Sequence, residues 1–449
     1  MAQFDPQQLA EWTRGEWLDG RVPETVNGFS FDARQLEVGQ CFIALSGGSR
    51  DGHEFVAQAA ENGALAALVE KPLNLDLPQL VVADTLLAME AIATAHRSNF
   101  NNPVIGITGS CGKTSTKEML RRVMGGKQAH ATAGNWNNRI GVPMTLFELN
   151  AAKHSAAVVE AGINQPGEMS HLGAMIAADC VILTNIGPAH LELLKTLENV
   201  AAEKVQLLLQ AKSNAFIIMP NSAYQMPALA ACADRAIVLA KVNEAVSPEP
   251  KRIVRYRLNG SQLQLGDQTY RIESSSSGIC LNAALAIVAG DVLGRTADQL
   301  AAIEDWQPDA KRGRIASKGG QTFYVDCYNA NPTSMVDAFK AFVDSVPIGL
   351  PRCYVLGAMN ELGADELRLH REVAETIKLR QRDRVCLVGP EHLTAAYREG
   401  LTAKAEQITM VDSADKIDSV IAPFTGAIFL KGSRSYALEK LLPEPLRTS

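Results

Sequence analysis

The chain contains no run approaching the ~20 uninterrupted apolar residues that a membrane span requires, so membrane insertion is not expected. Its opening residues, MAQFDPQQLAEWTRGEW, carry neither a basic n-region nor an apolar h-region, which argues against a secretory signal. No CxxC pair occurs. The eight cysteines (Cys41, Cys111, Cys180, Cys232, Cys280, Cys327, Cys353 and Cys386) stand singly, several within apolar runs such as CVILTN and RVCLVG. That pattern excludes a disulfide framework or zinc site as the first reading, and favours buried reduced thiols in a cytoplasmic protein. A basic tract is also missing, and the net charge is −6, so nucleic acid is not the expected partner. Neither an internal repeat nor a disordered tail is visible.

What is present is an ordinary globular composition, 47% apolar and 20% charged. At 449 residues the chain exceeds what one core can hold, and three α/β domains are expected: 1–97, 98–309 and 310–449. Short apolar runs alternate with helical patterns throughout, as in parallel α/β architecture. In the first region CFIAL, ALAALVE and LPQLVVAD read as strands, with a polar, glycine-rich loop GGSRDGHEF at a binding surface. In the second, VIGIT, AAVVEAG, CVILTNI, FIIMPN and AIVLA read as strands. IVRYRL and LQL alternate and suggest a small antiparallel patch, and SSSSG breaks the chain before a helix expected near Asn282. In the third, TFYVDC, RCYVLG, RVCLVG and AIFLKG predict a doubly wound, Rossmann-like sheet with its ligand edge at the strands' carboxyl ends.

The strongest chemical signal is Gly109, Ser110, Cys111, Gly112, Lys113, Thr114 and Ser115, set between a strand and a helix. Glycines let the backbone N–H groups turn toward an anion, and the helix N-terminus adds its dipole. Lys113 can neutralise β/γ-phosphate charge, and the Thr114 hydroxyl can ligate Mg²⁺. Position 107 is Ile, so the strict GxxxxGKS/T form is not met; the strand–loop–helix context still points to a nucleoside triphosphate. Glu160 interrupts an apolar strand near its end, where an ionised carboxylate needs a partner, and Mg²⁺ is a reasonable one. His190 follows a strand exit, and both a ligand role and an ordinary histidine remain open. Asn135, Asn137 and Asn138 are grouped donors that turn chemistry would equally explain.

These motifs, with SFDAR, DGHEF, TAGNWNNRIGVPMTL, VVEAGINQPGEM, TNIGPAHLE, VAAEK, YNANPTSM, MNELG and LKGSR, resemble the Mur ligase family of peptidoglycan synthesis over essentially the whole chain. The resemblance implies a UDP-sugar-binding first domain, a central ATP-binding domain and a third domain receiving the amine. The implied activity is ATP-dependent addition of D-alanyl-D-alanine to UDP-N-acetylmuramoyl-tripeptide through an acyl phosphate, by a monomer. It places Lys113 at the γ-phosphate and Thr114, Glu160 and His190 at two magnesium sites. Lys204 falls where the family has a carbamylated lysine supporting the second ion; nothing else distinguishes it from an exposed helical lysine. Asn282 matches an adenine contact, and Arg314 and Asp326 match contacts to nucleotide phosphate and ribose. Asp32, Arg34, Asp51, Gly52 and His53 fall at the UDP-sugar, while Asn137, Asn138, Asn329, Asn331, Lys431 and Arg434 fall among substrate contacts.

Two positions depart from the family pattern. G-D-M-x-E-L-G loses its acidic residue at Ala358, and Ala33 stands where a hydroxyl residue is frequent. The D-N-P-R tetrapeptide of the relative that adds a single third amino acid is absent, and folylpolyglutamate synthetase would not need DGHEF. A protein that senses ATP and a UDP-sugar without ligation is the alternative of a different class; intact Lys113, Glu160, His190 and Lys204 weigh against it.

Overall fold

A computed structural model describes residues 2–47, 50–163 and 165–447; Gly48 and Ser49 of GGSRDGHEF and Asn164 of VVEAGINQPGEM lie outside the described residues. Three sheets follow one another along the chain. The first contains β1 (Glu16–Trp17), β2 (Phe29–Ser30), β3 (Cys41–Ile43), β4 (Ala66–Val69) and β5 (Gln79–Val81) in the order β1-β5-β4-β3-β2. Only β1 runs antiparallel to its neighbour. Helix α1 (Thr85–Ser98), capped by the Asp84 side chain, leads out of this sheet. Its Arg97 is buried and donates to the carbonyls of Ile176, Ala177 and Phe100 and to Asp179, fixing the first unit to the second. Burying a guanidinium is tolerable because its donors are satisfied.

The central sheet holds β6 (Val104–Thr108), β7 (Ala129–Ala131), β8 (Ala156–Glu160), β9 (Cys180–Leu183), β10 (Phe216–Pro220), β11 (Ala236–Lys241), β12 (Arg252–Asn259), β13 (Gln262–Leu265) and β14 (Gln268–Arg271). Their order is β14-β13-β12-β11-β10-β9-β6-β8-β7. Every residue of β6 and β8 is buried, which explains their unbroken apolar runs: parallel strands covered on both faces do not alternate. After β6 the chain passes to the edge, returns as β8 on one side of β6, then crosses to β9 on the other. The loop after β6 therefore opens at the point where the strand order reverses, the usual ligand crevice of such sheets. The expected antiparallel patch is an extension of this sheet rather than a separate one, because β12 pairs parallel with β11 and antiparallel with β13.

Helix α2 (Lys113–Val123) follows the glycine loop, and α3 (Leu197–Leu209) carries Lys204. Helix α4 (Ser277–Val292) packs on α2 and starts five residues before Asn282. Ser276 of SSSSG is its cap, since its Oγ accepts from the Ile279 N–H at 2.9 Å.

The third sheet comprises β15 (Arg314–Lys318), β16 (Gln321–Val325), β17 (Arg352–Gly357), β18 (Arg384–Val388), β19 (Ile408–Val411) and β20 (Gly426–Lys431), ordered β15-β16-β20-β17-β18-β19. It is parallel apart from the β15–β16 pair. Helix α5 (Pro332–Ser345) begins with Pro332 behind an Asn331–Ser334 capping box, so YNANPTS is a helix start as well as a motif. One apolar cluster runs through all three units, including Phe29, Ile92, Leu183, Leu208, Phe339 and Tyr354. Among the described residues no helix is long and apolar enough to cross a membrane.

Candidate functional site

The carboxyl ends of β6, β8 and β9 open into a cavity of about 1060 Å³, roofed by residues of the third unit. Gly109 is at φ 151°, and a Cβ there would lie 1.9 Å from Thr184 Oγ1, so only glycine lets the loop pass β9. The loop is held from β9: Asn185 accepts from the N–H groups of Ser110 and Cys111 and donates to Cys111 Sγ at 2.9 Å. Ser110 Oγ bonds both the N–H and the carbonyl of Gly187. Gly112, at φ 80°, caps α2 without a side-chain hydrogen bond, which leaves first-turn N–H groups for an anion. Lys113 Nζ rests on the Gly109 carbonyl at 2.8 Å, and burial lowers its pKa.

Glu160 ends β8 and is 1% exposed. Its carboxylate accepts from Thr114 Oγ1 at 3.0 Å and Asn137 Nδ2 at 2.8 Å, while its own N–H bonds Thr132 Oγ1. Asn137 therefore faces the cavity. Asn138 instead turns its chain, accepting from the N–H groups of Ile140 and Gly141. This asparagine loop is braced by Lys117, a buried lysine one turn after Lys113 that donates to the carbonyls of Thr132 and Gly134. Sequence reading passed over Lys117; its spacing on the phosphate-loop helix was the available signal. Lys204 is fully buried rather than an exposed helical lysine, and burial, then the charge of Lys113, pushes its pKa well below the ordinary value.

From the third unit, Asp326, Asn329, Asn331 and Lys431 all line the cavity. Lys431 is buried and donates to Asp326 Oδ2 at 2.6 Å and to the Asn329 carbonyl. Asn331 caps α5 and reaches the Ser110 carbonyl at 3.4 Å. His190 meets Glu361 of the MNELG loop at 2.6 Å, and this bond holds the Glu361 carboxyl below its usual range. Asn282 lines the cavity against Gly112. Arg314 lies on β15 and is not among the lining residues; Arg312, two residues earlier, is, stacked 3.8 Å over the Tyr328 ring. Arg434, half-exposed, pairs with Glu439 outside the cavity. Arg312, Glu361 and Asp337 escaped sequence reading because only the packing of two distant segments brings them to the rim.

The first unit's candidates lie outside the cavity lining, in two local groups. Arg34 pairs with Asp32, lowering the aspartate's pKa. Buried His53 has both ring nitrogens engaged, Nδ1 with Asp51 at 2.6 Å and Nε2 accepting from the Glu70 N–H at 2.9 Å. It braces the loop rather than presenting a free ring. Gly52 is required where a Cβ would lie 2.6 Å from the Leu45 backbone. The Phe31 ring, beside Asp32, is 6.0 Å from that of Trp136, which precedes Asn137, so the Asp32 segment adjoins the asparagine loop.

Family models match the chain in three stretches: Mur ligase family, catalytic domain, over residues 25–125; Mur ligase middle domain over 107–290; and Mur ligase, glutamate ligase domain, over 312–434. The chain is 30% identical over 444 residues, 95% of each protein, to UDP-N-acetylmuramoyl-tripeptide–D-alanyl-D-alanine ligase of Treponema pallidum (strain Nichols). Identity is 31% to the protein of that name from Escherichia coli (strain K12), covering 97% of this chain and 96% of the relative. Among solved structures, MurF from Acinetobacter baumannii superposes with a TM-score of 0.88 at 27% identity over 100% of both chains. The fold is shared with MurF ligase from Thermotoga maritima in complex with ADP, with a TM-score of 0.77 at 24% identity over 93% of this chain and 96% of that one.

Proposed function

The chain belongs to the Mur ligase family, and from that premise we propose that it is the ATP-dependent amide ligase joining D-alanyl-D-alanine to UDP-N-acetylmuramoyl-tripeptide. The reaction forms a carbon–nitrogen bond in peptidoglycan synthesis, as the last cytoplasmic step of precursor assembly, and so serves cell wall biogenesis, cell shape and division. The protein acts as a monomer of three domains, 1–97, 98–309 and 310–449. One observation carries the reading: a phosphate loop and a buried carboxylate from the central sheet share a cavity with cations and amides from the third.

An amide cannot form from a carboxylate and an amine in water without activation. The acceptor's carboxylate attacks the γ-phosphate and ADP leaves; the neutral amine then adds to the acyl carbon and loses a proton, and the carbon–oxygen bond to phosphate breaks. Lys113 and the first-turn N–H groups of α2 supply the positive field that lets two anions approach. Thr114 and Glu160 offer adjacent hard oxygen donors that suit Mg²⁺, with His190 and Lys204 serving the same region. Among the described residues no three His, Cys, Asp or Glu side chains cluster, so such an ion would draw the rest of its shell from water and phosphate. A bound Mg²⁺ would neutralise phosphate charge and polarise the transferring group. Burial disfavours the ammonium form of Lys204 and so favours the neutral amine that carbon dioxide needs, in keeping with a carbamate there. Asn282 and Asp326 border the nucleotide. Asn329, Asn331 and Lys431 border the incoming dipeptide, and the third unit seals the acyl phosphate from water. Asp32, Arg34 and the Asp51–His53 loop hold the UDP end, from which the acceptor runs past Phe31 and Trp136 to Glu160.

Purified protein with ATP, Mg²⁺, D-alanyl-D-alanine and UDP-N-acetylmuramoyl-tripeptide, tried with diaminopimelate and with lysine as its third residue, is expected to release phosphate and pentapeptide together, both lost in Lys113→Ala. ATP binding without product would favour a regulatory, non-ligating protein.

A further inference from the structure

At the rim of the cavity, the loop after β9 and the loop after β17 meet through residues held in unusual backbone states. His190 has φ 56° and Glu361 φ 64°, left-handed values that residues other than glycine adopt only when their surroundings hold them there. The two segments are joined twice. His190 Nδ1 lies 2.6 Å from Glu361 Oε2, and the Glu361 carbonyl accepts from the Glu192 N–H at 3.1 Å. Gly363, at φ 60°, permits the approach, since a Cβ there would come within 3.0 Å of the Leu191 carbonyl. The loop that delivers Glu361 is itself braced. The Met359 N–H donates to His370 Nε2 at 2.9 Å, the Asn360 N–H to Ser433 Oγ at 2.9 Å, and Asn360 Nδ2 to Ser435 Oγ at 3.0 Å.

We propose that Glu361 is a positioning residue for His190, resting on the reading of His190 as serving a divalent cation. An imidazole that donates Nδ1–H to a carboxylate has its tautomer and ring plane set, and its Nε2 keeps the lone pair that a metal ion needs. Here the carboxylate comes from the third unit and the imidazole from the central one. The cation site is therefore complete only while the two units are docked, which ties metal binding to closure of the cavity. Conversely, metal bound at His190 favours the docked arrangement, as linkage requires.

The test uses Mn²⁺ as probe, its binding to the full chain in the presence of ADP read from the electron paramagnetic resonance of free Mn²⁺. Glu361→Ala is expected to weaken binding about 10–100-fold, the usual effect of losing an outer-shell partner. Glu361→Gln, which keeps an acceptor oxygen, is expected to lose less and serves as the folded control. In a His190→Ala background, Glu361→Ala is expected to add nothing. Unchanged affinity in Glu361→Ala, or a loss that simply adds to that of His190→Ala, would overturn the proposal. If His190→Ala itself binds Mn²⁺ like the wild type, the ligand reading of His190 fails and the proposal falls with it. A loss in His190→Ala but none in Glu361→Ala refutes the positioning role alone.

Discussion

Replacing Asp337 by alanine is expected to loosen the third unit from the central one while leaving each folded. The Asp337 carboxylate, on α5, accepts from Ser276 Oγ, from Ser277 Oγ at 2.8 Å and from the Gly278 N–H at 3.1 Å, all at the start of α4. It caps a helix of another unit. A carboxylate at a helix N-terminus gains about 0.3–1 kcal/mol from the dipole, and a hydrogen bond to a charged group about 1.5–3 kcal/mol. Ser277 is exposed and Asp337 only half-buried, so the three bonds are discounted to the worth of about one, roughly 2 kcal/mol in all. That is a change of about 30-fold in the ratio of docked to undocked molecules. Helix α4 itself should persist, because Ser276 still caps it through the Ile279 N–H. Small-angle scattering of the ligand-free protein should show a larger radius of gyration in Asp337→Ala, with Asp337→Asn between it and the wild type. The KM for ATP should rise in the same order, since the cavity is shared by the two units. Superimposable scattering profiles with an unchanged KM for ATP would show that the Asp337 cap does not hold the two units together.

Two further outcomes follow from buried titratable groups. His370 lies under the MNELG loop, with Nδ1 donating to the Glu366 carbonyl and Nε2 accepting from Met359, and burial lowers its pKa to about 4. From pH 6.5 down to 4 the unfolded chain takes up a proton that the folded one refuses. Stability is therefore full above the unfolded value and falls through this window, by about 3 kcal/mol. Urea unfolding of the third unit should show that slope in the wild type and a flatter one in His370→Gln; equal slopes would contradict it. For Lys204, native mass spectrometry in bicarbonate buffer should show one added carbon dioxide, absent in Lys204→Arg. An unmodified wild-type mass under those conditions would remove the carbamate from the account.

The parts legible in the sequence are those carried by local pattern. The strands β6, β8, β9, β16, β17, β18 and β20 announce themselves as buried runs, and the glycine loop between β6 and α2 needs no partner to be recognised. Short or half-exposed strands do not: β1 and β2 have two residues each, and β15 and β19 are only partly covered, so their side chains show little bias. Contacts between distant segments were equally silent. Glu361 sits in a quoted motif, yet its partner His190 lies in another unit. Lys204 looked like any helical lysine because its burial depends on packing that one helix cannot reveal.

If the acceptor's carboxylate is activated by phosphoryl transfer before the amine attacks, one of its oxygens must leave with the phosphate. Preparing UDP-N-acetylmuramoyl-tripeptide with oxygen-18 in the reacting carboxylate, and weighing the phosphate released as pentapeptide forms, tests it directly. One oxygen-18 atom is expected in each phosphate. Pentapeptide formed alongside unlabelled phosphate would contradict it.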